Sequence, residues 1–402
     1  MKINEQTLES IQNDLKRNHP QLLLDAFTDF EAREALKEVL DKEHGVLLRT
    51  EENLEDVIQE IVGLGIIETI IKQDESVTDI TYNGTDLIVK SNNNKYVYDE
   101  KEITENYIIK LIQKFANAVG KEFTPKNGIL DATLGNFRLN AVHRTRSPYG
   151  TTMALRTSRP KLALNEDNFS DFAPTYMLDF FKAVIKTRSN IVISGETGTG
   201  KTEFQKLLVS EIPFKEKICL IEDTLDSHIK TLFPEKDIHS WVTSASTSMT
   251  DLIKAALRNN PVWLLVSETR GKEAYEMLQA ILSGHSIITT IHAKNARAIP
   301  RRFVNMMKMG YQVEEKSIES DIYNYFGFGA HLEQTEINGK TKRYLSEVVE
   351  YLEDGTVLTV FKQVKEGDLI YPVIGSYSED FERLMKKFNC NFKGFEKENV
   401  YV

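Results

Sequence analysis

The segment Ile191-Val192-Ile193-Ser194-Gly195-Glu196-Thr197-Gly198-Thr199-Gly200-Lys201-Thr202 decides how the chain is read. Ile191 to Ser194 is an apolar run of strand size. Residues 195–202 match G-x-x-x-x-G-K-[ST], the Walker A phosphate-loop pattern. A helical pattern follows from Lys201 to about Val209. The glycines let the backbone curl, so that successive N–H groups point inward at phosphate oxygens. Lys201 brings a positive charge for β- and γ-phosphates, and the Thr202 hydroxyl can ligate Mg²⁺. The helix beginning near Lys201 turns its positive end toward the anion. Gly195, Glu196, Thr197, Gly198, Thr199, Gly200, Lys201 and Thr202 are therefore expected to cradle a nucleotide. With glycine at about 7% of residues, a random chain of this length carries the pattern about one time in a hundred.

Working outward, strands and helices alternate from about residue 175. β-runs at Ile218–Ile221, Val262–Val266 and Ser286–Ile291 are separated by helical patterns at about Ser248–Arg258 and Glu273–Leu282. Another helix is expected from about Ala296 to Met307. That alternation predicts a mostly parallel sheet covered on both faces. Val262 to Val266 leads through Ser267 to Glu268, an apolar strand ending in a carboxylate. In a P-loop fold this is the Walker B position, where an acid holds Mg²⁺, directly or through water, or polarises the attacking water. Ile218–Ile221 ends in Glu222-Asp223, with Asp226 close behind; such carboxylates repel one another unless a cation sits nearby. His285 and His292 stand at the two ends of one β-run, where they can sense a γ-phosphate or pass contact to a neighbour. The C-terminal part, about Ala330 to Phe361, is strand-rich with turns at Asn338-Gly339 and Asp354-Gly355, and a helix is expected near Asp380–Lys387.

The first half reads differently. Residues 1–50 are charged and helical, with Leu8, Ile11, Leu15, Leu22, Leu23, Phe27, Phe30, Leu36, Val39 and Leu40 at helical spacing and Pro20 between two helices. Residues 51–157 are expected to form an α+β domain. Helices run from Leu54 to about Ile71, broken at Gly63 and Gly65, and over about Glu105–Val119. Strands are expected at Val77–Tyr82, Leu87–Lys90, Tyr96–Tyr98, Phe137–His143 and Thr151–Arg156, with turns at Asn83-Gly84 and Asn92-Asn93-Asn94. Residues 158–174 read as a linker, and 175–402 as the nucleotide-binding domain.

Composition sets outer limits. The 402 residues are 41% hydrophobic and 27% charged, which supports buried cores over most of the length. A net charge of -10 weighs against a broad nucleic-acid surface, and no stable direct nucleic-acid binding is expected. Two cysteines, Cys219 and Cys390, make neither a disulfide framework nor a tetracysteine zinc site and suit a reducing cytoplasm. No apolar run reaches the roughly 18 residues of a membrane span, and the first residues do not read as a signal peptide. The expected location is the cytoplasm, peripheral to the cytoplasmic face of the membrane.

Four boxes now stand in order: GETGTGKTEF, IEDTLDSHI, LRNNPVWLLVSETRGKEAYEMLQAILSGHS and ITTIHAKNARA. They resemble the Walker A, Asp, Walker B and His boxes of the type II and type IV secretion ATPases. The likeness extends upstream through Glu60–Gly65, Val77–Gly84, Asp131–Arg138 and Ala154–Arg156, covering about residues 55 to 310. It implies a RecA-like P-loop core in an α/β fold, an α+β N-terminal domain with a short helical extension, and a homohexameric ring. It also implies ATP and Mg²⁺ as cofactors, inner-membrane components of a secretion or pilus machine as partners, and work on secretion, conjugation or pilus assembly. Carried over by residue, Lys201 and Thr202 match the phosphate and Mg²⁺ binders. Glu222 matches the Asp-box glutamate and Glu268 the Walker B glutamate, and either can be the group that activates water. His285 and His292 match histidines near the γ-phosphate. Arg258 and Arg270 match arginines that bridge carboxylates or subunits. Arg138 and Arg156, with Arg144 and Arg146 nearby, match N-terminal-domain arginines that reach the nucleotide.

There are departures from the pattern. Ser267 replaces the usual Gly before the Walker B glutamate, and Asp226 stands where the family often has Glu. A tetracysteine zinc module is absent, which favours the type IV secretion and tight-adherence branch over type II assembly. Two rival readings remain: a RecA-like nucleic-acid motor, against which the net charge weighs, and a nucleotide-gated scaffold, against which Glu222 and Glu268 argue.

Overall fold

A computed structural model describes residues 5–27, 30–48, 51–91, 94–99, 103–392 and 394–395. The chain divides into two compact units, Met1–Arg159 and Pro160–Val402. In the first, α1 (Glu5–Asn18), α2 (Pro20–Asp25), α3 (Phe30–Leu48) and α4 (Glu51–Ile61) share one core. Ile11, Leu15, Leu23, Leu36, Leu40 and Val57 meet there. The two expected helices are three, because Pro20 opens a short helix of its own, a position its missing N–H suits. Asn92 and Asn93 of the expected turn, and the Phe30 side chain, lie outside the described residues.

Next come α5 (Ile66–Gln73), β1 (Val77–Tyr82), β2 (Leu87–Ser91), β3 (Lys95–Tyr98), α6 (Glu105–Ala118), β4 (Ile129–Leu134), β5 (Phe137–Val142) and β6 (Thr152–Thr157). The strands form one antiparallel sheet in the order β3-β2-β1-β6-β5-β4. Alternate residues point to opposite faces. Ile80, Val89, Leu139 and Leu155 thus pack with Ile108, Ile112 and Phe115 of α6, while Asp79, Arg138 and Arg156 stand on the other face. The Thr104 side chain caps α6 by accepting from Tyr107 N. β4 was not expected, since Asp131 interrupts its apolar pattern.

The second unit is a layered α/β body. A 3₁₀ segment (Glu166–Asp171) precedes α7 (Tyr176–Lys186), β7 (Ile191–Gly195), α8 (Lys201–Ser210), β8 (Ile218–Glu222), α9 (Ile229–Leu232) and β9 (Ile238–Val242). Then follow α10 (Met249–Leu257), β10 (Trp263–Val266), α11 (Glu273–Leu282), β11 (Ser286–Ile291), α12 (Ile299–Met307) and α13 (Glu315–Tyr325). The chain ends through β12 (Phe328–Ile337), β13 (Lys340–Tyr351), β14 (Val357–Glu366), β15 (Leu369–Ile374) and α14 (Glu379–Lys387). Nine strands form one sheet, ordered β15-β14-β13-β12-β7-β11-β10-β8-β9. From β12 to β9 the pairs are parallel, and from β12 to β15 they form an antiparallel meander.

All five residues of β7 are buried, as a parallel strand covered on both faces requires. Ile191 and Ile193 face a core with Phe180, Phe181, Phe204 and Leu208, while Val192 faces one with Ile253, Met277, Leu278 and Phe303. Cys219 lies in the second core, where burial pushes its thiol up to about 11. Within the 158–174 stretch read as linker, Phe169, Phe172 and Ala173 join the first core. Asn165 caps the 3₁₀ turn that presents them, a three-residue spacing too short to register as periodicity. α7, α9, β9, α13 and β15 were not foreseen.

Phe204 is fully buried against Phe181 and Phe172, with ring centroids 4.8 and 5.5 Å away. Phe204→Ala is expected to cost about 3–5 kcal/mol. Urea unfolding checks this; an unchanged midpoint for the second unit contradicts the packing.

Candidate functional site

The loop between β7 and α8 is built on three glycines with positive φ: Gly195 at 155°, Gly198 at 85° and Gly200 at 94°. The last two lie in the left-handed region, where a side chain is strained. A Cβ on Gly195 would come within 2.6 Å of the Leu332 carbonyl oxygen and 2.7 Å of Thr199 Oγ1. The Thr199 hydroxyl donates to Glu196 O at 2.8 Å and braces the curl. Lys201 is buried and its Nζ donates to Gly195 O and Glu196 O, both at 2.9 Å. Burial pushes its ammonium below the usual lysine range, and the nearby Glu268 charge opposes that shift. Thr202, half-buried, opens α8 beside it.

The parallel register sets the other groups around this loop. Val192 of β7 pairs with Thr289 of β11, Thr289 with Val266 of β10, and Val266 with Ile221 of β8. The residues that follow these therefore emerge together at one edge: Gly195, His292, Glu268 and Glu222. Glu222 is fully buried; its carboxylate accepts from Ser227 N at 3.0 Å, and its Oε2 has no hydrogen-bond partner. Burial raises its carboxyl above the ordinary range, with the Asp226 charge adding to the rise and Ser227 opposing it.

Glu268 is the opposite case. Burial pushes its carboxyl up, but the Arg270 hydrogen bond and the charges of Arg270, His292 and Lys201 outweigh burial and hold it low. Arg270 donates from Nη2 to Glu268 Oε2 at 2.8 Å and from Nη1 to Asp223 Oδ2 at 3.2 Å, bridging the ends of β10 and β8. His292 Nε2 lies 3.0 Å from Glu268 Oε1, near enough for an ion pair. The approach is off line for a hydrogen bond, so Oε1 stays without a donor. Two buried carboxylate oxygens without donors, a hydroxyl at the start of α8 and a glycine cradle fit a Mg²⁺-bound triphosphate.

His285 is corrected. It precedes β11, and β11 runs parallel to β7, so His285 lies at the edge opposite the loop, with Nδ1 2.7 Å from Pro261 O. Within one chain the two histidines therefore do not share a site, and only His292 joins this one. Arg258 is likewise at that far edge, exposed where α10 ends before β10.

The remaining arginines belong to the first unit. Arg138 and Arg156 are register partners on β5 and β6. Arg156 Nε donates to Asp79 Oδ1 at 3.1 Å, and Arg138 Nε lies 3.8 Å from Asp131 Oδ1. Arg144 pairs with Glu105 at 3.6 Å, and Arg146 donates to Pro125 O at 3.1 Å and Lys126 O at 3.4 Å. One contact at the loop was not foreseen. Arg343 of β13 donates from Nε to Gly198 O at 2.7 Å, and no motif in the sequence marks it.

A family model described as "Type II/IV secretion system protein" matches residues 41–322. This chain belongs to the type II/IV secretion ATPase family. An uncharacterised protein of Bacillus anthracis is 46% identical to this secretion-family chain over 97% of it and 92% of the relative. The type IV secretion system protein VirB11 of Brucella suis is 30% identical over 42% of this chain, which spans 50% of VirB11. Among solved structures, the pilus retraction motor PilT with bound ADP superposes with a TM-score of 0.53 at 18% identity, covering 81% of this chain and 86% of PilT. Such a likeness speaks to the fold, the RecA-like P-loop architecture.

The two glutamates give the secretion ATPase opposite pH signatures. The raised Glu222 carboxyl contributes stability that is complete below the unfolded value of 4.5 and is lost as pH rises through the folded value. The lowered Glu268 carboxyl contributes stability that is present above 4.5 and is lost as pH falls through its folded value. As pH rises above 4.5, Glu222→Gln should therefore gain in melting temperature relative to wild type, and as pH falls below 4.5, Glu268→Gln should gain relative to wild type. Thermal unfolding on both sides of pH 4.5 checks both signs; offsets from wild type that run the same way with pH in the two variants contradict the assignment.

Proposed function

We propose that this protein is a Mg²⁺-dependent ATP hydrolase that works as a homohexameric ring and powers type IV secretion, conjugative transfer or pilus assembly. The observation that carries the reading is the convergence of the glycine loop, Lys201, Glu222, Glu268 and His292 on one edge of a parallel sheet. Residues 195–200 offer backbone N–H groups to the phosphates, and Lys201 balances their charge. Thr202 and Glu268 are the groups to hold Mg²⁺, which when bound neutralises charge on the β- and γ-oxygens.

The chain's own groups divide the remaining tasks. Glu268, kept ionised by Arg270, suits the metal side. Glu222, with its carboxyl raised by burial and one oxygen without a donor, suits removal of a proton from the attacking water. His292 stands beside Glu268 to sense the γ-phosphate. Arg138 and Arg156, register partners on β5 and β6 of the first unit, are the arginines that the family resemblance offers for charge on a transferring phosphoryl group. The setting proposed is the cytoplasmic face of the membrane, with inner-membrane components of the machine as partners and no direct nucleic-acid contact. No described helix is long and apolar enough to cross a membrane.

Lys201→Ala is expected to abolish ATP turnover, and wild-type-like activity in that variant would overturn the site. Glu222→Gln is expected to lower kcat by about 10²–10⁴-fold with nucleotide affinity retained. Glu268→Gln is expected chiefly to raise the Mg²⁺ concentration needed for half-maximal rate. The reverse pattern would exchange the two roles. Light scattering with Mg²⁺ and a non-hydrolysable ATP analogue should give about six times the 46.0 kDa chain mass. A mass unchanged from one or two chains would contradict the ring.

A further inference from the structure

The hairpin of β12 and β13 runs past the end of the parallel sheet. β12 pairs with β7 from Phe328 to Leu332, and from Glu333 to Ile337 it continues paired with β13. The register places Gln334 opposite Arg343. Both lie on the phosphate loop. Arg343 Nε donates to Gly198 O at 2.7 Å, and its Cδ lies 3.7 Å from the place a Cβ on Gly200 would occupy. The Gln334 amide atoms lie 3.6 and 3.7 Å from the corresponding place on Gly198.

Two cations therefore rest on carbonyls of one loop: Lys201 on Gly195 and Glu196, and Arg343 on Gly198. Neither makes an ion pair with a carboxylate among the described residues. Arg343 is half-buried, burial disfavours the charge on its guanidinium, and among the described residues no charged side chain offsets this. A guanidinium does not shed its proton, so the charge stays, and a partly desolvated charge without a counter-ion is costly. An anion in the loop supplies the counter-ion. Nε is committed to Gly198, which leaves the two η nitrogens with N–H groups to give.

We propose that Arg343 is a nucleotide-contact residue, supplied by the same chain as the loop, that donates its η N–H groups to a phosphate of the bound nucleotide. Gln334 serves as its cross-strand support. The inference rests on the nucleotide-site reading above. It adds to Lys201 a phosphate-facing cation that comes from the C-terminal meander, well outside the loop motif.

The test is Mg-ADP affinity by calorimetry on the full-length chain as wild type, Arg343→Ala and Arg343→Lys. Inorganic tripolyphosphate, which has no base, is the second ligand. Arg343→Ala should weaken both ligands about tenfold, the scale of one charge-assisted hydrogen bond. Arg343→Lys should recover part of the loss, keeping the charge but not the planar fork. Without ligand, Arg343→Ala should melt no lower than wild type, which separates lost binding from lost folding. Wild-type affinity in Arg343→Ala overturns the role of Arg343 alone. So does a loss confined to ADP, which would place the residue on the base, or an equal loss in Ala and Lys variants. A wild-type chain that binds neither ligand overturns the nucleotide site and this proposal together.

Discussion

The parallel registration of β8, β10, β11 and β7 is the constraint on which the rest of the second unit depends. Because these strands point one way and their ends are level, four short apolar runs far apart in sequence deliver Glu222, Glu268, His292 and the glycine loop to one edge. Burial on both faces fixes that registration. Val192 and Ile193 enter different cores, so a slip of one residue would exchange them and every neighbour with them. Site geometry is thus inherited from packing, and the glycines let the loop close into a cradle that Thr199 braces.

Chemically, the edge separates two carboxylates that look alike in sequence. Glu222 sits deep, with one backbone donor and a second carboxylate, Asp226, nearby. Glu268 sits under Arg270, whose second arm holds Asp223. Desolvation dominates the first and a guanidinium the second, so their proton affinities are driven apart. Divergent environments around paired acids are the usual physical basis for dividing acid–base and metal-holding tasks. Arg270 therefore does more than bridge Glu268 and Asp223: its hydrogen bond and charge hold the Glu268 carboxyl low against burial.

Much of this was legible in the sequence. The loop, the helix after it and the strands at Ile218, Trp263 and Ser286 follow from apolar runs punctuated by glycine and acid. Asn338-Gly339 announced the β12–β13 hairpin correctly, since both residues adopt positive φ there. What stayed hidden had physical reasons. The sequence around His285 does not say which end of its strand meets the loop; strand direction in three dimensions does. Phe169 lies in a single capped 3₁₀ turn and Phe172 directly follows it, a stretch too short to show a period. Arg343 reaches Gly198 across 145 residues of chain, and a basic residue in a strand carries no local mark of such a contact.

The most direct measurement is an experimental structure of the chain with Mg²⁺ and a non-hydrolysable ATP analogue. The account predicts the triphosphate against the backbone of residues 196–201, Lys201 on its β- and γ-oxygens, and the metal between Thr202 and Glu268. A nucleotide bound elsewhere, or a chain that takes up none at millimolar analogue, would contradict it.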